Sequence, residues 1–302
     1  MCAAARMHNR PHDDEPAIDA ALVRRLLADQ FPQWRGLPLE RVASAGADNA
    51  MFRLGPELAV RLPRVSWAAD SVAREQQWLP RLAPHLPLPI PAPLAHGRPA
   101  AGYPWEWSVV RWLGGANPVL GSVTAPLRLA QDLAAFVTAL RTADPAGAPP
   151  SSRGGRLCAR DAATRAAIGR LTGTIDTEAA TTVWDKALRL PEPTGRPAWM
   201  HGDLSPGNVL LADQHLSSVI DFGLMGVGDP TVDLIAAWNL LPATARPVFR
   251  AALATDDATW ERGRAWALSI ALIQLPYYRS TNPSLAANSR HVIREVLADR
   301  SA

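Results

Sequence analysis

The sequence holds very few cysteines. Cys2 and Cys158 are the only two among 302 residues, and they lie far apart in the chain. Disulfide frameworks are typical of short secreted chains with several cysteines, so this pattern argues against one and favours a reducing compartment. We therefore predict a cytoplasmic protein that is stabilised by an apolar core, for which its 48% of hydrophobic residues is ample.

Long apolar runs are also absent. No window approaches the roughly 18 continuous apolar residues that indicate a membrane span. The N-terminal residues, MCAAARMHNRPHDDEP, lack the apolar stretch of a signal peptide. We predict no association with a membrane and a disordered tail over residues 1–15.

Lysine is nearly missing, because Lys186 is the only one and arginine carries almost all the positive charge. The net charge is +3, and the basic residues are spread along the chain without a Lys/Arg-rich block. A basic stripe or block is the usual footprint of nucleic-acid binding. The sequence therefore does not predict a nucleic-acid partner.

Hydrophobic periodicity predicts a first part that is rich in strands and a second part that is mainly helical. The first part predicts helices over 18–31 and 66–83, strands over 39–44, 50–55 and 57–63, and a strand pair that ends in 104–113. The later part predicts helices over 125–144, 157–171 and 177–190, a flexible loop over 144–155, a short strand pair, and then helices to the end. We predict an α+β fold with a small antiparallel sheet in residues 16–113 and a mainly helical part in 114–302.

Polar residues interrupt two apolar stretches in the second part. WMHGDLSPGNVLL (199–211) is followed, after seven residues, by VIDFG (219–223). A short loop with Pro206 and Gly207 can turn Asp203 and Asn208 into one place, and a strand pair would bring Asp221 beside them. Two oxygen ligands, Asn208 and Asp221, suit Mg²⁺, and Asp203 is left to orient a hydroxyl and accept its proton.

The HGD…N and DFG motifs closely resemble the catalytic and metal-binding loops of the protein-kinase-like fold. HGD in place of HRD resembles the aminoglycoside phosphotransferase family, and the order of elements agrees from about Leu39 onward. The resemblance implies a two-lobe kinase that uses ATP and Mg²⁺. It implies catalysis by Asp203, metal binding by Asn208 and Asp221, and a structural role for His201.

The resemblance also implies a nucleotide site in the first lobe. Ser44, Gly46 and Asn49 lie in the loop that would cover the phosphates. Arg61 stands where the family has a lysine, and a pair with Glu75 would hold it toward the phosphates. The adenine edge would bind at the link between lobes, which resembles SVVRWLGG; the residues implied there are Arg111, Trp112 and Leu113.

The acceptor is predicted to be a hydroxylated small molecule, since little chain follows Asp221 that could hold a peptide. Asp229 and Asp233 are interpreted as helix-start and loop-bracing residues. The segment 224–302 has seven acidic and eight basic residues, which does not favour a polycation. A local acidic pocket stays open, because Asp256, Asp257 and Glu261 cluster. Aromatic residues of the same segment would suit a more apolar acceptor of the macrolide type; they are Trp238, Trp260, Trp266, Tyr277 and Tyr278.

Three functions remain open at this stage. The leading one is an antibiotic-kinase-like O-phosphotransferase of the aminoglycoside or macrolide type. The missing strand lysine leaves a non-catalytic nucleotide-binding pseudokinase as an alternative, although Asp203, Asn208 and Asp221 are all retained. A metabolic kinase of the choline or sugar type is a third. The sequence does not decide which molecule is the acceptor, whether ATP or GTP is the phosphate donor, or which oligomeric state the protein adopts.

Overall fold

The computed structural model describes residues 16–42, 48–119 and 121–299. Within these ranges the chain forms two compact units. The sheet unit comprises residues 16–115 and 217–223, and the helical unit comprises residues 116–216 and 224–299. The segment 217–223 thus belongs to the sheet unit although its neighbours in sequence belong to the helical unit. The predicted tail, residues 1–15, lies outside the described ranges.

Five antiparallel strands form the sheet unit, in the order β1-β2-β3-β5-β4. They are β1 (Leu39–Arg41), β2 (Asn49–Leu54), β3 (Leu58–Pro63), β4 (Pro93–Gly97) and β5 (Trp107–Arg111). Successive side chains of a strand point to opposite faces, so Phe52 and Leu54 of β2 are buried while Arg53 between them is exposed. This sheet confirms the predicted small antiparallel sheet.

Helix α1 (Ala20–Gln30) packs on this sheet and confirms the helix predicted over 18–31. Its start is fixed by Asp19, whose carboxylate accepts the Leu22 N–H at 2.7 Å. Its apolar stripe joins one buried cluster with residues of the strands, including Phe52 and Trp107. The stripe consists of Leu22, Val23, Leu26 and Leu27.

Helix α2 (Ser66–Leu82) confirms the helix predicted over 66–83. It begins after Val65, and no side-chain hydrogen bond caps it. Its buried face carries Trp78, and it also buries Glu75, whose relative exposure is only 4%. A buried carboxylate needs a partner, because desolvation of an unpaired charge is costly.

The helical unit contains seven α-helices in its described residues, and short strands flank the HGD motif in sequence. The helices are α3 (Pro126–Thr142), α4 (Asp161–Arg170), α5 (Thr177–Leu188), α6 (Ala236–Asn239), α7 (Arg246–Ala252), α8 (Asp257–Tyr278) and α9 (Pro283–Ala298). Two two-stranded sheets pair β6 (Ala198–Met200) with β9 (Gly226–Gly228) and β7 (Val209–Ala212) with β8 (His215–Val219). The β6–β9 pair was not predicted, because strands of three residues are too short to show alternation.

Helix α8 is buried along most of its length and packs against the turn of 3-10 helix Pro230–Ile235. The contact is close: a Cβ added at Gly263 would lie 2.5 Å from the Leu234 Cβ. The sequence predicted helices from the strand pair to the end of the chain, whereas the structure has the 3-10 turn here, followed by the short α6. Among the described helices, including the 22-residue α8, none meets the length and hydropathy that a membrane span requires.

The 3-10 turn positions the loop that follows β6 through the fully buried Asp233. Its carboxylate accepts the His201 N–H at 2.9 Å and the Gly202 N–H at 2.8 Å. Burial raises the pKa of Asp233, although the His201 side chain, these two N–H groups and Arg141 act in the opposite direction. Asp229 caps the same turn by accepting the Thr231 N–H at 3.1 Å. Both aspartates are therefore structural, as predicted.

We expect Asp233→Asn to lower the free energy of unfolding by about 2–4 kcal/mol. The amide oxygen of asparagine can accept only one of the two buried N–H groups, and its NH₂ group then faces the other N–H donor. Asp229→Asn is the matched control, since asparagine caps a helix as well as aspartate does and the expected loss is under about 1 kcal/mol. Urea denaturation measures both. Equal midpoints for the two variants would contradict the bracing role of Asp233.

Candidate active site

Asp203 and Asn208 lie side by side in the loop that follows β6. The 3-10 turn Pro206–Asn208 brings the chain back, so that Asn208 Nδ2 donates to the backbone oxygen of Asp203 at 2.8 Å and to Asp203 Oδ2 at 2.9 Å. Asn208 is buried, whereas the Asp203 side chain is 27% exposed. The predicted convergence of these two side chains is therefore present, with the carboxylate on the accessible side.

The loop owes its shape to Gly202 and His201. Gly202 has φ +82°, and a Cβ there would lie 3.1 Å from the backbone oxygen of Leu224. Only glycine adopts this region without strain. His201 is fully buried, and its Nδ1 accepts the Asp203 N–H at 3.2 Å. It braces the loop, as the sequence predicted, and its side chain is buried away from solvent.

Asn117 is a brace that the sequence did not reveal. Its Nδ2 donates to the backbone oxygens of Pro206 and Gly207, each at 3.1 Å, and of Val209 at 2.9 Å. It lies about ninety residues upstream, in a segment without periodicity or motif, so no sequence signal pointed to it. It holds the end of the loop on which Asn208 stands.

Arg153 is the second unexpected residue at Asp203. Its Nη1 lies 2.5 Å from Asp203 Oδ1 and also donates to the Gly202 backbone oxygen at 2.8 Å. The segment 144–155 is a loop, as the sequence predicted, and two backbone hydrogen bonds of 2.8 and 3.0 Å join its Pro149 and Ser151 to Val227 of β9. The candidate catalytic carboxylate is thus ion-paired, whereas the sequence left it free.

In the sheet unit, Arg61 forms the predicted ion pair with Glu75. Arg61 lies in the middle of β3, and its Nη1 donates to Glu75 Oε2 while its Nη2 lies 3.4 Å from Asp221 Oδ1. The exposed fractions of the two paired side chains are 12% and 5%, so the pair is largely desolvated. Burial acts to lower the pKa of Arg61, but the carboxylates of Glu75, Asp221 and Asp48 together raise it above its ordinary value.

Asp221 is the accessible member of this group. It has φ +61°, a region that non-glycine residues occupy uncommonly and that aspartate tolerates better than most. Its side chain is 47% exposed, while the following Phe222 is fully buried. Arg74 of α2 holds the turn by donating to the Gly223 backbone oxygen at 2.8 Å. The carboxylate is therefore fixed by its backbone and remains accessible to a ligand.

The other predicted nucleotide-binding residues fall in three places. Ser44 and Gly46 lie outside the described residues. Asn49 begins β2 and is half-buried. At the end of β5, the Trp112 N–H already donates to the Glu57 backbone oxygen at 2.7 Å, and the indole packs under Arg53 at 4.9 Å. Binding of adenine by Arg111, Trp112 and Leu113 stays a prediction, and the Trp112 N–H is not free for it.

The acidic cluster at the start of α8 does not form a pocket for a polycation. Asp256 caps the helix by accepting the Thr259 N–H at 2.8 Å, which lowers the pKa of Asp256. Asp257 pairs with Arg250. Glu261 is buried and lies 3.3 Å from Arg264 of the next turn. Asp256 and Asp257 are exposed whereas Glu261 is buried, so these residues do not form the acidic pocket that the sequence left open.

The aromatic residues of the same segment belong mainly to the core. Trp238, Trp260 and Trp266 have relative exposures of 0 to 2%. Tyr277 is 38% exposed and packs edge-on against Tyr278, with ring centroids 4.7 Å apart. The tryptophans thus stabilise the helical unit and do not line an acceptor site.

The predicted magnesium ligands offer suitable atoms. The nitrogen of the Asn208 amide donates to Asp203, and its side-chain oxygen forms no hydrogen bond within the described part of the chain. The Asp221 carboxylate is half-exposed. Mg²⁺ is held by one or two such oxygens together with phosphates and waters. Asn208 belongs to the helical unit and Asp221 to the sheet unit, and each fits the cation in the chemistry of its donor atom.

Three solved structures are similar to this chain. The GDP complex of wild-type aminoglycoside 2'-phosphotransferase-IIIa is 20% identical over 93% of this chain and 99% of that chain, with a TM-score of 0.75. The GDP and kanamycin complex of APH(2")-IIia is 21% identical over 92% and 99%, with a TM-score of 0.73. The macrolide 2'-phosphotransferase MphH from Brachybacterium faecium, as the apoenzyme, is 20% identical over 93% and 99%, with a TM-score of 0.61. At these identities the likeness shows a shared fold, which confirms the predicted kinase-like α+β architecture.

A comparison with curated proteins gave no match. The model of the family APH, described as the phosphotransferase enzyme family, matches residues 39–266, which is well over half of the chain. The match spans Arg61, Asp203, Asn208 and Asp221 and confirms the resemblance carried by the HGD and DFG motifs. The chain therefore belongs to the phosphotransferase enzyme family.

Proposed function

We propose that this protein transfers the γ-phosphoryl group of ATP to a hydroxyl of a small-molecule acceptor. The observation that carries the proposal is the placement of Asp203, whose accessible carboxylate is held by Asn208 on a braced loop. In the reaction, this carboxylate orients the acceptor hydroxyl and accepts its proton. The acceptor oxygen then bonds to the γ-phosphorus as the bond to the leaving diphosphate breaks.

The phosphates would be bound by the guanidinium of Arg61. Glu75 fixes one nitrogen of its planar fork, and the charge is retained because its pKa lies above its ordinary range. We propose Asn208 and Asp221 as the protein's oxygen ligands for Mg²⁺. When bound, the cation would neutralise charge on the phosphates. The remaining predicted contacts, from Ser44, Gly46 and Asn49 on the phosphates and from Arg111, Trp112 and Leu113 on the adenine, belong to the same proposal.

The pseudokinase remains the alternative from another class. The replacement of lysine by arginine in β3 motivates it, but the ion pair of Arg61 with Glu75 shows that the charge is held in place. Binding of ATP and Mg²⁺ without phosphate release from any acceptor would favour it. A metabolic kinase would use the chemistry proposed here, and it would differ from an antibiotic kinase only in the molecule that it phosphorylates.

An acceptor panel measures the activity directly. The structures similar to this chain include complexes with kanamycin and gentamicin, so these compounds belong in the panel beside macrolides, sugars and amino alcohols. ATP and GTP are each tested as donor. Consumption of the nucleotide together with an added phosphate in the acceptor, detected by mass spectrometry, is the expected result. We place the reaction in the cytoplasm, where nucleoside triphosphates are available.

For Asp203→Asn we expect kcat to fall by about 10²–10⁴-fold, because the amide cannot accept the hydroxyl proton. The affinity for ATP should stay within about twofold of the wild type, since the substitution leaves the sheet unit unchanged. Asp185→Asn is the control, because this aspartate lies on α5 and forms an ion pair at the surface with Arg165 of α4. Turnover of Asp203→Asn at the wild-type rate would show that another group acts on the acceptor.

For Arg61→Ala we expect the affinity for ATP to fall at least about tenfold, which corresponds to about 1.4 kcal/mol. The affinity of Arg61→Lys for ATP should lie between that of Arg61→Ala and that of the wild type, because an ammonium keeps the charge but lacks the planar fork that reaches both Glu75 and Asp221. Titration calorimetry with ATP and Mg²⁺ measures both. The control is Arg81→Ala, an exposed arginine that covers Trp78. An unchanged affinity in Arg61→Ala would remove Arg61 from the nucleotide site.

A further inference from the structure

Both oxygens of the Asp203 carboxylate already have donors. Asn208 Nδ2 bonds to Oδ2 at 2.9 Å, and Arg153 Nη1 bonds to Oδ1 at 2.5 Å. Asn208 belongs to the same loop, whereas Arg153 lies fifty residues upstream. An acceptor hydroxyl that approaches Asp203 must therefore share the carboxylate with a guanidinium. The immediate surroundings of the reacting hydroxyl then include a positive charge.

The position of Arg153 is fixed by its backbone. Its N–H donates to Ser151 Oγ at 3.1 Å, and the Gly154 backbone oxygen accepts the Asp229 N–H at 3.1 Å. A Cβ added at Gly154 would lie 2.8 Å from the Gly228 Cα, so the loop and β9 touch backbone to backbone. The guanidinium is therefore presented to Asp203 by a packed segment, and its side chain is only 17% exposed.

A second guanidinium, that of Arg160, lies close enough to Arg153 for the two charges to interact. Arg160 is half-buried, donates from Nε to Ser269 Oγ at 2.9 Å and lies over the Trp266 ring at 5.0 Å. Burial and then the charge of Arg153 lower the pKa of Arg160 to about 10, so it stays protonated at neutral pH. In the part of the chain that the structure describes, Arg160 forms no ion pair with a carboxylate.

We infer that Arg153 is a specificity-determining residue that selects acceptors without a cationic group beside the reacting hydroxyl. This inference rests on the proposed phosphotransferase function and names its acceptor class. The acceptor is a neutral or anionic hydroxylated molecule in which a hydroxyl, carbonyl or carboxylate oxygen neighbours the reacting hydroxyl.

The chemistry follows from the donors of the guanidinium. Arg153 carries donors and no acceptor, so a neighbouring oxygen of the acceptor can bond to it while the reacting hydroxyl bonds to Asp203. An ammonium in the same place would face Arg153 with a like charge, and like charges are disfavoured most where water is excluded. The same guanidinium neutralises Asp203, which removes the attraction that a lone carboxylate would offer a polycation.

Kanamycin and its fully N-acetylated derivative are suitable probes, because they share hydroxyls and differ in charge. Their dissociation constants are measured by titration calorimetry for the wild type, Arg153→Ala and Arg153→Lys. The matched control is Arg156→Ala, three residues further along, whose exposed side chain pairs with Glu192 at 3.0 Å. Thermal melting of each variant and its affinity for ATP and Mg²⁺ establish that the protein is folded.

We expect Arg153→Ala to bind kanamycin at least tenfold more tightly than the wild type does, because Asp203 is then left unpaired. Arg153→Lys and Arg156→Ala should bind kanamycin as weakly as the wild type does. The affinity for N-acetylated kanamycin should change little in any variant. In the phosphorylation assay, the ratio of kcat/KM for kanamycin to that for its N-acetylated derivative should rise by a similar factor in Arg153→Ala.

Equal kanamycin affinity in Arg153→Ala and the wild type, with ATP and Mg²⁺ still bound, overturns the inference and leaves the proposed function intact. The same holds if Arg153→Lys gains affinity as Arg153→Ala does, since the charge is then not the cause. Failure of the wild type to bind ATP and Mg²⁺ contradicts the proposed function itself, and the inference falls with it.

Discussion

The buried carboxylate of Asp233 determines the shape of the loop on which the candidate catalytic side chains stand. It accepts two consecutive backbone N–H groups, those of His201 and Gly202, and this fixes the chain at the point where β6 ends. The positive φ of Gly202 then turns the chain, so that Asp203 comes to the accessible side of the loop. The local geometry of the loop therefore depends on one buried carboxylate and on the two backbone N–H groups that it accepts.

Charge pairing recurs at two of the predicted site positions. Arg61 binds Glu75 in the sheet unit, and Arg153 binds Asp203 in the helical unit. Both arginines donate from a planar fork, which can contact two oxygens at once and stays charged when buried. A protein with a single lysine thus obtains its fixed positive charges from arginine. Side chains of this kind position carboxylates more firmly than the flexible ammonium of a lysine would.

The parts of the site that the sequence predicted are those formed by local patterns. Asp203 and Asn208 are five residues apart with a proline and a glycine between them, and Arg61 and Glu75 lie on a strand and the helix that follows it. The family resemblance added the roles. The alternation of apolar residues predicted the strands and helices of the sheet unit, because a sheet with one buried face repeats every second residue.

The parts that were missed come from segments without a pattern. Arg153 was placed in a loop rich in proline, glycine and serine, whose composition predicts flexibility; its order comes from pairing with β9, a three-residue strand that shows no alternation. Asn117 is about ninety residues before the loop that follows β6 in the sequence, and it contacts this loop through its side-chain amide. The acidic cluster at α8 was misleading, since a count of charges does not show that Glu261 faces Arg264 in the core.

The arginine of β3 also changes how this protein responds to chemical labelling. Reagents that acylate amines detect many nucleotide sites through a lysine beside the phosphates, and a guanidinium that stays protonated is a poor nucleophile toward them. The one lysine side chain of this chain, Lys186, lies in the last turn of α5. Amine-directed reagents would consequently not label the proposed nucleotide site, and a reagent selective for guanidinium groups is needed to mark it.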